Sequence, residues 1–321
     1  MLRSNKNLTD LTKSKKRISL PLNHSFNGCI VKDKTSDGYI LSFRINNSHD
    51  VYNLINIKSV VTDKIGVCKL DKNFRCIPKS LFILKYVGYI DGRLCWYKDK
   101  LLLTYTNDTT DKGMFGTIIM DTAISNDFIE TENFRISPEE TSDLQKNWTN
   151  FVYNDELYFI KNINPHKIYK FNLETKQLTS VSNLNWENKW FYNLSLRGNT
   201  NPIKLPDNNY LSTFHTVQHM VFNDTRYRFY DNGFYIFEGK PPFKPLKMMT
   251  QTFLPAESCD LIFSWEETPY SNSSKQKFYC TFPIGMMLDG DDIIVSYGNS
   301  DKFIDVGKYS LKEIMNLMKD I

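Results

Sequence analysis

Asp91-Gly92-Arg93 sets a carboxylate two residues from a guanidinium, near the start of a stretch, Gly88 to Thr106 (GYIDGRLCWYKDKLLLTYT), that reads as a β-hairpin. A carboxylate held among cations is a group that could move a proton, and the cations could bind an anion. Other polar residues of the same kind fall at the beginnings and ends of comparable stretches. They are Arg44, then Lys146, Asn147 and His166, then Arg197 and His215, then Tyr297 and Asp301. Gathered at one place, the cationic members would form an anion-binding centre suited to phosphate or a sugar nucleotide, with Asp91 set among them. Taken singly, each reads equally well as an ordinary exposed or ion-paired residue. The case therefore depends on what the fold brings together.

Other chemistries are poorly represented. His215-x-x-x-His219 would put two imidazoles on one face of a strand, but no third ligand is evident and no metal site is expected. No Gly-rich phosphate loop, G-x-S-x-G elbow or Cys/His nucleophile pattern is present. Six cysteines (29, 68, 76, 95, 259 and 280) form no C-x-x-C pair, and several sit in apolar runs such as Cys29-Ile30-Val31, which predicts buried, reduced thiols in a cytoplasmic protein. With 40 basic and 36 acidic residues the net charge is +4, too balanced for general nucleic-acid binding. The cluster Lys13, Lys15, Lys16, Arg17 reads as part of a solvated tail. No apolar run approaches the roughly 20 residues of a membrane helix, and the N-terminus lacks the apolar core of a secretion signal. Neither nucleic acid nor membrane is expected as a partner, and a homo-oligomer is left open.

The elements that would position these residues repeat. Ser36–Arg44 (SDGYILSFR), Lys98–Thr106 (KDKLLLTYT), Asn154–Asn162 (NDELYFIKN), Asp207–His215 (DNNYLSTFH) and Gly290–Gly298 (GDDIIVSYG) each carry Asp or Asn at the second place and an apolar middle. All but the third, which has Lys161, carry an aromatic at the eighth. Further strand-like runs follow at residues 65–70, 116–120, 167–171 and 227–230, with a weaker one at 302–307. A β-sandwich would show regularly spaced turns without this longer period; a ring of blades requires it. The prediction is an all-β, five-bladed β-propeller over residues 21–321, preceded by a flexible basic arm over residues 1–20. Ser310–Ile321 has a capping box in Ser310 and Glu313 and an apolar face, which predicts a short C-terminal helix covering the last blade. Ser137-Pro138-Glu139-Glu140 predicts the opening of one other short helix. In such a ring the first strand of each blade lines the central channel, and ligands gather at a mouth.

In this order the motifs resemble glycoside hydrolase family 130, the β-mannoside phosphorylases with their related mannosyltransferases and β-1,2-mannosidases. The resemblance runs from about Phe26 to Ile314. Asp91-Gly92-Arg93 is similar to the family's Asp-Pro-Arg, and Leu101–Thr106 to the Tyr-Thr strand after it. Lys146-Asn147-Trp148 with Asn164-Pro165-His166 resembles its Lys-Asn-Trp and Pro-His pair. Arg197–Ile203 with Phe214-His215 resembles Arg-Gly-Gly-Thr-Pro-Pro-Ile with Tyr-His, and Pro283-Ile284-Gly285 with Ser296-Tyr297-Gly298-x-x-Asp301 resembles the closing motif. The resemblance implies a five-bladed propeller that transfers a glycosyl group, with Asp91 as the acid that protonates the leaving oxygen, partly through a sugar hydroxyl. It implies Arg44, Arg93, Lys146, Asn147, His166 and Arg197 as the phosphate- or donor-binding set, and His215, Tyr297 and Asp301 around the sugar. No cofactor is implied beyond inorganic phosphate or a sugar nucleotide as co-substrate, and the partner is a sugar or glycan. Inverting phosphorolysis needs one acid and a cationic cradle, whereas an inverting hydrolase needs a second carboxylate about 6.5–9.5 Å away, for which no candidate stands in a matching place. The sequence departs from the pattern at Gly92, Gln145, Lys161-Asn162 and Asn199. These departures keep open a catalytically inactive glycan- or protein-binding propeller using the same mouth, or a scaffold whose polar groups never meet.

Overall fold

The computed structural model describes residues 11–46, 63–107, 114–121, 128–137, 145–187, 189, 191, 194–223, 225–250, 253 and 275–321. The first element is β1 (Thr12–Ile18). Blade 1 is β2 (Ser25–Lys32), β3 (Tyr39–Ile45), β4 (Lys64–Leu70) and β5 (Phe82–Ile83); blade 2 is β6 (Tyr89–Tyr97), β7 (Lys100–Asn107), β8 (Met114–Asp121) and β9 (Ile129–Arg135). Blade 3 is β10 (Thr149–Tyr153), β11 (Glu156–Asn162), β12 (His166–Asn172) and β13 (Gln177–Leu184). In blade 4 the innermost strand is broken into β14 (Arg197–Gly198) and β15 (Ile203–Lys204), followed by β16 (Tyr210–Phe222), β17 (Thr225–Phe237) and β18 (Pro245–Met249), with β19 (Lys275–Tyr279) parallel to β17. Blade 5 is β20 (Thr281–Asp289), β21 (Asp292–Asn299) and β22 (Phe303–Ser310). The five sheets form the predicted five-bladed propeller, and the five repeat units are the second strands of the blades with the turns before them.

The near-continuous apolar character of those second strands has a physical cause. Side chains alternate between the two faces of a strand, and both faces of a blade are covered by neighbouring blades. Leu101, Leu103 and Tyr105 of β7 pack toward blade 1, whereas Leu102 packs toward blade 3. Ile293, Val295 and Tyr297 of β21 pack toward blade 4, and Ile294 toward blade 1. Five such apolar layers, one between each pair of adjacent blades, close the ring. The eighth-place aromatic is part of this packing. Phe43, Tyr105 and Phe214 each lie directly across from a glycine, Gly66, Gly116 and Gly233, where a Cβ would come within 2.4, 2.6 and 2.5 Å of the ring atoms.

The expected N-terminal arm is corrected over Thr12–Ile18. These residues pair antiparallel with β22, from Thr12↔Tyr309 to Ile18↔Ile304, so the first strand supplies the outermost strand of the last blade. The reason is charge. Asp305 on β22 is fully buried, and it accepts hydrogen bonds from Arg17 Nε (2.8 Å) and Nη2 (3.1 Å) and from Asn299 Nδ2 (2.8 Å), with Lys15 Nζ at 3.1 Å. Lys13 pairs with Asp292, and the Arg17 guanidinium lies 3.8 Å from the Phe303 ring centroid. Hydrogen bonds to charged groups are worth about 1.5–3 kcal/mol. Arg17→Ala is therefore expected to destabilise the fold by about that amount in urea titrations; a change under about 0.5 kcal/mol, the range of ordinary surface substitutions, would show that the strand is not held this way.

The C-terminal helix is shorter than expected. α1 (Leu311–Leu317) is capped by Ser310 Oγ, which accepts from Glu313 N at 3.4 Å, and it buries Ile314. Met318 then turns extended and opens β23 (Met318–Asp320), which pairs with β18 of blade 4. The apolar residue that continues the helical pattern is thus buried by a strand. The other predicted helix falls on residues 138–140, outside the described residues. No helix among the described residues is long and apolar enough to cross a membrane.

Candidate active site on the paired bulges

The site is built on two matching bulges. In β2, Phe26 pairs with Arg44 and Cys29 with Ser42; in β6, Ile90 pairs with Thr106 and Arg93 with Thr104. Each first strand thus carries one extra residue, and each bulge holds a left-handed residue followed by glycine. These are Asn27 (φ 50°) with Gly28, and Asp91 (φ 54°) with Gly92. The glycines let the bulges close against packed side chains, since a Cβ on Gly28 would lie 2.4 Å from Ile304 and one on Gly92 2.9 Å from Leu103. Bulges re-aim side chains, and here the two meet: Asn27 Nδ2 donates to Asp91 Oδ1 at 3.0 Å. Blade 5 supports the contact through Gly298, where a Cβ would fall 1.8 Å from Asn27 Oδ1. Gly298→Ala is accordingly expected to push Asn27 off Asp91. If Asp91 is the acid, a displacement near 1 Å costs about 10²-fold in turnover. Unchanged turnover in a folded variant would mean that the Asn27 contact does not position Asp91.

Arg44 lies beside this pair. Its Nε and Nη2 donate to the Asp63 carboxylate at 2.9 and 2.8 Å, and its Nη1 is 3.9 Å from Asp91 Oδ1. Burial works against the Arg44 charge, but the bonded Asp63, with Asp91 and Asp301 nearby, outweighs it and holds the guanidinium pKa above its ordinary value. Asp301, in a left-handed turn (φ 50°), is pushed up by burial, with Asp91 and Asp63 adding and Arg44 and Arg228 opposing. Its Oδ1 faces Cys280 Sγ at 4.0 Å. Arg44, Asp91 and Asp301 are thus brought together as the sequence suggested.

Arg93 is placed differently from a ligand-binding residue. It is completely buried, donating from Nε to Asn199 O (2.6 Å) and from Nη1 to Asp91 O (3.0 Å). It therefore holds the Asp91 backbone against blade 4. Asn199 continues the chain: its Nδ2 donates to Asn232 Oδ1 (3.1 Å), its Oδ1 faces His215 Nδ1, and Asn232 Nδ2 donates to Thr281 O (2.7 Å). A buried polar network so links blades 2, 4 and 5, and the side chain of Asn199, a departure from the family pattern, is one of its junctions. His215 is held below its ordinary pKa by burial first and then by Arg197, Arg93 and Arg228, so it is neutral. Its ring stacks on Tyr230 (5.6 Å) and meets Phe282 edge-on (5.2 Å).

Lys146 and Asn147 lie half-buried ahead of β10. Asn147 is left-handed (φ 63°), and its carbonyl passes so close to Gly198 that a Cβ there would be 2.8 Å away, which sets this segment beside Arg197. Two expected site residues are elsewhere. Tyr297 occupies the eighth-place slot of blade 5 and is buried in the layer between blades 4 and 5, because alternation along β21 puts it on the same face as Ile293 and Val295, against blade 4. His166 is buried between blades 3 and 4, with Nδ1 bonded to Phe243 O at 2.8 Å and Phe237 and Tyr235 rings 5.2 and 5.9 Å away. Burial lowers its pKa to about 4, so it carries no charge with which to hold an anion at neutral pH.

Sequence reasoning missed Asn27, Asp63, Arg228 and Tyr230. Asn27 had a signal, since Asn27-Gly28 in blade 1 repeats Asp91-Gly92 in blade 2. Asp63 just precedes β4, and Arg228 and Tyr230 lie on the third strand of blade 4; nothing in their local sequence marks them. The Arg228 guanidinium is 4.9 Å from the Tyr230 ring centroid and acts electrostatically on Asp301, Cys280 and His215.

None of the curated proteins compared with the chain matches it in sequence. Solved structures share its fold at low identity. The β-1,2-mannobiose phosphorylase of Listeria innocua, in complex with β-1,2-mannobiose, is 12% identical with a TM-score of 0.58, covering 97% of this chain and 95% of its own. MPT-4, a mannose phosphorylase from Leishmania mexicana solved with phosphate, is 9% identical with a TM-score of 0.57 over 95% and 91%. MPT-1, a GDP-Man-dependent mannosyltransferase from the same organism, is 12% identical with a TM-score of 0.59 over 94% and 90%. The family described as beta-1,4-mannooligosaccharide phosphorylase matches residues 21–320. With that match spanning nearly all of its length, the chain belongs to glycoside hydrolase family 130.

Proposed function

We propose that the chain transfers a mannosyl group with inversion, by phosphorolysis of a β-mannoside or from a sugar nucleotide, and that Asp91 is the proton donor. The observation that carries this reading is the meeting of Asp91 and Asn27 on the paired bulges, with Arg44 of β3 beside them. A carboxyl group held by two side chains of the neighbouring blade, with its backbone clamped by Arg93, is oriented for proton transfer rather than left on a mobile loop. Arg44, Asn27 and Asp301 are the hydrogen-bonding groups beside it for sugar hydroxyls. Of the six proposed anion ligands, Arg197, Lys146 and Asn147 remain as the cradle for phosphate or a departing nucleotide, with Arg228 added. Arg44 is engaged by Asp63, Arg93 is a positioning residue, and His166 is too far into the blade interface. The named relatives support mannose as the sugar transferred and phosphate or GDP-mannose as the co-substrate.

The burial of Arg93 and His166 away from ligand reach also favours a second reading, a sugar-binding propeller without turnover. One assay separates the two. The chain is incubated with mannose 1-phosphate or GDP-mannose and with mannose or mannooligosaccharide acceptors, and products are resolved by chromatography. A mannosylated acceptor, with phosphate or GDP released in equal amount, is the expected result. Sugar binding without product from either donor, and insensitive to phosphate, would establish the second reading.

A further inference from the structure

Five of the six cysteines lie in described segments, and two of them form a pair unrelated to the channel. Cys68 is on β4 at the outer side of blade 1; Cys76 is in the turn that follows. The turn is tightly specified. Asp71 N donates to Arg75 O (2.9 Å), Phe74 N to Asp71 O (3.0 Å), and Asp71 Oδ1 accepts from Asn73 N (2.8 Å) and Arg75 N (2.9 Å). The chain then returns antiparallel beside β4, with Cys76 bridged to Leu70 and Ile77 N donating to Lys69 O at 2.9 Å. Cys68 and Leu70 share one face of β4, so Cys76, opposite Leu70, is the diagonal neighbour of Cys68 on that face. Both side chains belong to the same apolar layer, and their thiols hydrogen-bond to each other. Cys68 is buried and Cys76 partly exposed.

We propose that Cys68 and Cys76 are a thiol pair that low-molecular-weight disulfides convert reversibly to a disulfide. The exposed member attacks first. The Cys68 S–H donates to the Cys76 sulfur, which favours the Cys76 thiolate and holds its pKa below that of a free thiol, against its partial burial. The same bond, and then burial, keep Cys68 protonated. In the first exchange the Cys76 thiolate attacks one sulfur of the small disulfide, forming a mixed disulfide and expelling one small thiolate. Cys68 then attacks the Cys76 sulfur, forming the Cys68–Cys76 bond and expelling the second small thiolate, which takes up the Cys68 proton. Two protein thiols are oxidised and one small disulfide is reduced to two thiols. The product ties the 71–75 turn to β4, at the place where β1 reaches over it: Lys16 Nζ donates to Asn73 O and lies 6.0 Å from the Phe74 ring centroid.

The pair is testable by mass, because trypsin cuts after Lys69, Lys72 and Arg75 and puts the two cysteines in separate peptides, Ile65–Lys69 and Cys76–Lys79. The native full chain is treated with oxidised glutathione, then alkylated and digested. The expected product is a cross-linked pair of these peptides, lost on dithiothreitol treatment and unaffected by Cys95→Ser. Cys68→Ser is expected to stop the reaction at glutathione on Cys76. Stable glutathionylation of Cys76 in the native chain, a cross-link to any other cysteine, or reaction of the two thiols only in urea would each overturn the proposal.

Discussion

Asp91→Asn is expected to lower the rate of mannosyl transfer by about 10²–10⁴-fold, the usual contribution of a positioned general acid. The change is nearly isosteric, and the position suits it. Asparagine is among the residues that adopt left-handed backbone most readily, as Asn27 does at the matching place in blade 1. The amide oxygen of the substituted side chain keeps the bond from Asn27 Nδ2, and the backbone carbonyl keeps the bond from Arg93. What is lost is the transferable proton and one of three carboxylates that crowd Arg44. Because Asp91 contributes to pushing up the Asp301 pKa, the variant should also bring Asp301 toward ordinary carboxylate behaviour. The predicted signature is a fall in kcat with donor affinity and unfolding midpoint little altered. An Asp91→Asn variant that turns over within about threefold of the native chain would remove Asp91 from the proton-transfer role.

The legible parts of this protein are those where one physical demand acts alone. A second strand sandwiched between two blades must be apolar on both faces, so SDGYILSFR, KDKLLLTYT and their counterparts declare both the strands and their repetition. β1 was illegible because it is an outer edge strand whose sequence, TKSKKRI, has to answer the buried Asp305 on β22 rather than fill a core. The broken inner strand of blade 4 leaves only two-residue pieces, too short to carry a period. Arg44, Asp91 and Asp301, which the structure brings together, stand out in the sequence because they end, interrupt or follow strands. Tyr297 was misplaced although the repeat itself held the correction: Phe43, Tyr105 and Phe214 fill the same slot and are packing residues. His166 follows a motif, Asn-Pro-His, that says nothing of which layer its ring enters. Arg228 and Tyr230 reach the centre from a third strand, where no local sequence signal marks a channel residue.

The stability of the fold is expected to fall as pH drops from about 6.5 to about 4, by up to about 3 kcal/mol on account of His166 alone. A carbonyl oxygen only accepts, so the bond to Phe243 O puts the proton of the neutral ring on Nδ1. Nε2 is buried with no hydrogen-bond partner among the described residues, among the rings of Tyr235 and Phe237. Protonating it would bury an imidazolium whose second N–H has nothing to bind, which is why burial lowers the pKa to about 4. The unfolded chain has no such constraint and takes up its proton near 6.5. Between these values the unfolded state binds more protons, and stability is lost as pH falls. Full stability is present above about 6.5 and the loss is complete below about 4. His215, buried and also held well below 6.5, adds in the same direction. Buried carboxylates such as Asp305, whose bonds from Arg17, Asn299 and Lys15 outweigh its burial, lose their contribution only below 3.8, outside this window. Urea titrations at about pH 7 and about pH 4.5, in the native chain and in His166→Gln, isolate the effect. The variant should be less stable at neutral pH but show a shallower dependence on pH across the window. Equal slopes in the two proteins would mean that His166 is protonated in the folded state, and would return it to the candidates for holding an anion.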